Sequence, residues 1–202
     1  MKSKWLIPGV ILAVLLVIGM WVGGTYNSLV SDREKVVASF GNVQTQYQRR
    51  ADLIPNLVNT VKGSSNFEQE TLNQVVSARA KATGITVDAS KATPEQMQSY
   101  IDAQNGVTSS LSKLLAVVEN YPDLKSTAAY QDLMSQLEGT ENRIQVARTD
   151  YNNVARPYNT RVQSFPTALI ASMFGFSQRP YFQAEAGAQN APTVDFGNKV
   201  AQ

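Results

Sequence analysis

The chain has 202 residues, 18 basic and 16 acidic side chains for a net charge of +2, and neither histidine nor cysteine. Without histidine there is no usual general base near neutral pH, no Ser-His or Cys-His nucleophile and no Glu-x-x-His carboxylate metal site of the four-helix type. Without cysteine there are no disulfides, thiol chemistry or lipid attachment through sulfur, and the interspersed charges leave no nucleic-acid footprint.

Residues 1–4 form a short basic N-terminus. Trp5 to Gly24, WLIPGVILAVLLVIGMWVGG, is uncharged and mostly apolar. At about 1.5 Å per residue this length covers the roughly 30 Å hydrocarbon core of a bilayer. Residues 5–24 are therefore expected to be a transmembrane anchor, single-pass, contacting the lipid bilayer of the cell membrane. Trp5 and Trp21 stand near the two ends, as interfacial residues do, and Pro8 is tolerable near a helix start. A cleaved signal peptide begins similarly, but the apolar run exceeds the roughly 7–15 residues of a signal core, and no Ala-x-Ala site closes it. Lys2, Lys4 and the free amine slightly outweigh Arg33 and Lys35, which places the following domain on the extracytoplasmic side. Gly19 and Gly23 keep the G-x-x-x-G spacing of span–span contacts, a weak signal for a homo-oligomer.

The remaining residues, about 178, suffice for one domain. The first soluble helix is predicted over 26–61, with Val36, Phe40, Val43, Tyr47, Ile54 and Val61 at three-and-four spacing and Arg50 where an apolar residue would fit. Pro55 predicts a kink or a break there. A second helix is predicted from about Asn66 to Thr83, then a loop over 84–92. Thr93-Pro94-Glu95-Gln96 reads as an N-cap, a first-turn proline and a capping box opening a third helix to about Glu119. Asn120-Tyr121-Pro122-Asp123 stops it. A fourth helix is predicted from near Ser126 to about Ser164, apolar at Tyr130, Leu133, Leu137, Ile144, Ala147, Tyr151, Val154, Tyr158 and Val162, with a kink at Pro157. FPTALIASMFGF, 165–176, reads as a short helix or an extended segment. The predicted fold is all-α: the single N-terminal transmembrane helix, then an antiparallel four-helix bundle of long kinked helices over 25–176, then a flexible tail over 177–202.

Four segments, in order, resemble the LemA family of bacterial membrane proteins: YNSLVSDREKVVASFGNVQTQYQRRADLIPNLVNTVKG at 26–63, FEQETLNQVVSARAKA at 67–82, YNNVARPYNTRVQSFPTALIASMFGF at 151–176 and RPYFQAEAGAQNAPTVDF at 179–196. The QRR-x-DLIPNLV stretch from Gln48 to Val58 is the most specific. The resemblance implies a membrane-anchored helical bundle with no established enzymatic activity. It also implies an association with envelope proteolysis or quality control, including a membrane metalloprotease as partner.

Arg49, Arg50 and Asp52 are candidates for a partner-binding surface, with two guanidinium forks offered to a carboxylate or lipid phosphate. The alternative is that they pair with acidic residues of a neighbouring helix such as Glu68 or Glu70, or are simply solvated. Asn56 and Asn59 either fix helix register from inside or lie exposed without consequence. Tyr26, Tyr151 and Tyr158, each followed by asparagine, are expected to fill the seam. Ser112-Lys113 cannot act as a catalytic pair, because helix neighbours point about 100° apart. Phe174, Phe176, Tyr181, Phe182 and Phe196 are large for a flexible segment and are expected to dock, on the bundle or in a partner's groove. No catalytic, cofactor or metal site is assigned. The leading reading is a non-enzymatic scaffold for envelope proteins; the alternative is a hydrolase using carboxylates alone, for which no pairing is defensible. A lipid-surface binder would need a basic stripe, which the interspersed charges do not provide.

Overall fold

The computed structural model describes residues 6–63 and 67–183. The expectations for Trp5, Phe196 and the tail beyond residue 183 lie outside the described residues. Among the described residues six helices follow in order: α1 Leu6–Lys62, α2 Gln69–Gly84, α3 Pro94–Val118, α4 Pro122–Lys125, α5 Ala128–Gln163 and α6 Thr167–Met173. There is no strand among the described residues.

The predicted anchor and the first bundle helix are one element. At about 1.5 Å per residue, α1 is about 85 Å long. Its apolar side chains from Ile7 to Trp21 are all exposed, which makes this part long and apolar enough to cross a membrane. From Leu29 onward the pattern changes. Leu29, Val36, Phe40, Val43, Tyr47, Ile54, Leu57 and Val61 are buried on one stripe, as a bundle helix requires.

Pro55 does not break α1. Proline cannot donate to the carbonyl four residues back, here that of Ala51. That carbonyl accepts instead from Arg79 Nε of α2 at 2.7 Å. A side chain from the neighbouring helix thus replaces the missing backbone donor and ties α2 to α1. Pro157 likewise sits inside an unbroken α5, at an exposed position.

α5 runs antiparallel to α1: Arg161 meets Asp32, Arg148 meets Tyr47 and Arg50 meets Glu141. α2 and α3 form the second hairpin. α3 climbs parallel to α1, since Tyr100 packs on Phe40 and Tyr47 while Gln104 and Thr108 meet Arg50. The capping box forms as the spacing predicts, with Gln96 N donating to Thr93 Oγ1 and Thr93 N to Gln96 Oε1. Two apolar clusters fill the bundle. One, around Phe40, Tyr47, Tyr100, Tyr151 and Tyr158, lies nearer the exposed apolar part of α1; the other, around Ile54, Leu57, Leu72 and Leu114, lies farther along.

The segment after α5 begins with the short helix α6, one of the two forms expected for residues 165–176. α6 ends in a left-handed turn at Gly175, φ 72°, and Phe176 N donates to Ala171 O at 2.9 Å. This is the bond pattern of a glycine-terminated helix, and glycine adopts the positive φ without a Cβ penalty. The turn sends residues 177–182 back along α5 as an extended strap. Residues 177–182 make hydrogen bonds with α5.

Candidate functional site

The strap is held by a repeat on α5. Tyr151-Asn152 and Tyr158-Asn159 are seven residues apart and share one face of the helix. Asn159 Nδ2 donates to Arg179 O at 2.8 Å, and Arg179 N donates to Asn159 Oδ1 at 2.8 Å. Asn152 repeats this with Phe182, at 2.8 and 3.0 Å. Each carboxamide therefore pairs both backbone groups of one strap residue, as a neighbouring strand would. The hydroxyls of Tyr158 and Tyr151 donate to Ser177 O and Pro180 O, each at 3.0 Å. Burial pushes both phenols above their usual pKa, with Arg179 opposing the shift. Arg179 is itself buried, and its Nη1 donates to Ala92 O at 2.6 Å, fixing the entry to α3.

The candidate aromatics divide accordingly. Phe182 lies among Tyr151, Phe40 and Tyr47, with the Arg148 guanidinium 5.5 Å over its ring. Phe176 is buried against Tyr26 and beneath Arg33. Of the two docking readings given for these residues, both follow the first: they pack on their own bundle, where their rings complete its aromatic cluster. Phe174 and Tyr181 remain exposed, and Phe174 packs edge-on to Tyr26 at 4.9 Å.

The charged cluster divides too. Arg49 and Asp52 face solvent, and Asp52 accepts from Gln48 Nε2 at 2.8 Å. Arg50 is only 1% exposed and cannot present its fork to an outside group. Its Nη1 donates to Thr108 Oγ1 at 2.7 Å and to Glu141 Oε2 at 3.2 Å, and its Nη2 to Gln104 O and Oε1, each at 3.0 Å. The Tyr47 ring lies beneath it at 5.1 Å. Its acidic partner is Glu141 of α5, rather than Glu68 or Glu70, because α5 and α3 flank this turn of α1. Burial draws the guanidinium below its usual pKa and Glu141 opposes that; it stays cationic at physiological pH. Arg50 thus occupies the seam position left open for an apolar residue and links three helices. Asn56 and Asn59 are exposed, so they fix no register.

A crevice of about 410 Å³ opens between α1, α2 and α3. Arg50, Arg79, Gln44, Gln48 and Gln104 line it, and no carboxylate does, so it offers no acidic pair for acid–base work. The carboxylates Asp88 and Glu95 are held below their usual range, by bonds from Ser90 and by the Glu95 amide with the Thr93 side chain respectively. A general acid needs the opposite displacement. Among the described residues no three acidic side chains gather as a metal site.

Asn152, Asn159, Arg179, Arg148, Gln104 and Glu141 are structurally central and were not singled out by the sequence. The repeated Tyr-Asn pair was the available signal for the first two. Nothing local marks Gln104 or Glu141.

Known proteins resemble the chain along most of its length. "Magnetosome protein MamQ 2" of Paramagnetospirillum magneticum is 29% identical over 190 residues, covering 84% of this chain and 68% of that protein. "Protein LemA" of Metamycoplasma hominis is 28% identical over 177 residues, covering 86% and 77%. "Magnetosome protein MamQ" of Magnetospirillum gryphiswaldense is 27% identical over 190 residues, covering 84% and 68%. The match to the LemA family extends over residues 39–196 and takes in the buried arginine, both Tyr-Asn pairs and the strap; the chain belongs to the LemA family.

Proposed function

We propose that the protein is a non-enzymatic, membrane-anchored helical scaffold of the bacterial envelope, crossing the membrane once, with its bundle outside the cytoplasmic membrane. The continuity of α1 carries this reading. An exposed apolar stretch passes without interruption into the seam of a bundle, so one rod serves as both span and support. The internal commitment of Arg50 is a second support, since both of its terminal nitrogens donate to α3 and α5 and serve helix packing. Exposed Arg49, Asp52 and Tyr181 are the contacts on offer to envelope proteins, a membrane metalloprotease among them, in keeping with a part in quality control.

Two observations test this. Asp88→Cys in the exposed loop, treated with a membrane-impermeant thiol reagent, should label in intact cells; labelling only after lysis overturns the outward placement. A photo-reactive residue at Tyr181 should give discrete adducts with envelope proteins, and adducts confined to cytosolic proteins would contradict the scaffold role.

A further inference from the structure

α6 stands beside the point where the exposed apolar part of α1 ends. Phe174 packs on Tyr26 at 4.9 Å. Tyr26 lies five residues past Trp21, which is roughly 7–8 Å along the helix axis. The headgroup region on each side of a bilayer is about 5–8 Å deep beyond the hydrocarbon. Contact with Tyr26 therefore sets α6 at the height of the lipid headgroups if α1 is buried as far as Trp21.

The surface it offers fits that height. Ile170 and Ala171 pack into the bundle. The opposite side carries Phe165, just ahead of the helix, then Leu169 and Met173, which are four residues apart and so share one face of α6. They are 83%, 59% and 77% exposed, and Phe174 beside them is 52% exposed. Large apolar side chains this exposed, and contiguous, call for a covering surface. No charged residue occurs from Val162 to Gln178, although Arg161 and Arg179 bracket the stretch.

We infer that α6 is a lipid-interface foot: the stripe Phe165, Leu169, Met173 and Phe174 enters the headgroup boundary of the same bilayer that holds α1. The inference rests on the membrane-anchored reading of α1. It needs no basic stripe, since apolar insertion at an interface scales with the buried apolar area. The foot gives the bundle a second point of membrane contact. It fixes the rotation of α1 about its own axis, and so decides which bundle faces meet neighbouring proteins.

The chain has no cysteine of its own, so single labels are clean. Full-length Leu15→Cys, Leu169→Cys, Met173→Cys and Asp123→Cys proteins would each carry an environment-sensitive fluorophore. They would be reconstituted in phosphatidylcholine–phosphatidylglycerol vesicles containing nitroxide lipids, with the nitroxide either near the headgroup or deep in the acyl chain. The Leu15 label should lose fluorescence to the deep quencher, the Leu169 and Met173 labels to the shallow one, and the Asp123 label to neither. Quenching at Leu15 with none at Leu169 or Met173 overturns the foot and leaves the anchor standing. No quenching at Leu15 overturns the anchor itself. The tested positions on α6 are exposed, so the labels replace no buried contact.

Discussion

The bond from Arg79 to the Ala51 carbonyl exists because Pro55 cannot make it. The two residues should therefore be energetically coupled although they sit on different helices. Removing Arg79 with Arg79→Met keeps most of the apolar stem and deletes the donor. A hydrogen bond from a charged group contributes about 1.5–3 kcal/mol, and an orphaned carbonyl costs about 1–3 kcal/mol when buried. Arg79 is half-buried, so water can reach part of the site and the loss should fall near the low end, about 1.5 kcal/mol. Pro55→Ala restores the backbone donor, so the Ala51 carbonyl no longer depends on Arg79. In that background Arg79→Met should cost only about 0.5 kcal/mol, from lost packing of the stem. The coupling, about 1 kcal/mol, is measurable by urea unfolding of the four full-length proteins in detergent micelles, followed by helical circular dichroism. Equal costs of Arg79→Met in both backgrounds would refute the reasoning and show that the bond does not serve the proline.

Asn159→Ala deletes both bonds to Arg179 at a buried site and should cost about 2–4 kcal/mol, whereas Asn152→Ala, nearer solvent, should cost about half as much. Hydrogen exchange at residues 177–182 should rise in both, and unchanged exchange would mean the strap is held by something else. Arg50→Met leaves Gln104 without its donor and Glu141 without its partner; since Glu141 is 31% exposed and can be rehydrated, about 2–3 kcal/mol is expected by urea unfolding rather than the larger loss of a fully buried pair. Burial raises the Tyr100 phenol from 10.0 to about 12 and pushes Tyr151 and Tyr158 up as well. The unfolded chain therefore ionises first as the pH rises. The urea midpoint should be level from about pH 7 to 10 and fall between pH 10 and 12, tracked by phenolate absorbance; a midpoint that rises there contradicts the sign.

Most of the bundle was legible because apolar spacing repeats faithfully. Val36, Phe40, Val43, Tyr47, Ile54 and Val61 are all buried, as are Ile144, Tyr151, Tyr158 and Val162 on the facing helix. Local signals carried the helix starts, since the cap at Thr93 depends only on residues within one turn. What depends on distant parts of the chain was not legible. Arg50 stood out as a charge in an apolar seam, but its partners Glu141 and Gln104 depend on which helices lie beside α1, and nothing local encodes that order. Pro55 announced a disturbance in α1, while its remedy sits 24 residues further on, at Arg79. The strap was hidden for a different reason. An extended segment that borrows its hydrogen bonds from asparagines on a helix has no periodicity of its own, and its small, polar neighbours after residue 183 dominate a reading by composition. Leu169 and Met173 show a clear helical spacing, yet only the packing of Ile170 and Ala171 reveals which face is left uncovered.

The central claim is that one unbroken helix both crosses the membrane and forms the bundle seam. Its most direct test is a nitroxide scan of single cysteines from Val10 to Val37 in the full-length protein in bilayers, reading mobility and oxygen accessibility at each position. High oxygen accessibility on every side through about Trp21, passing into one-sided 3.6-residue periodicity from Leu29 with no mobile position between, is the predicted result. A run of mobile labels at Gly23 to Thr25, or low oxygen accessibility throughout the apolar stretch, would contradict it: the first would separate the span from the support, and the second would remove the span.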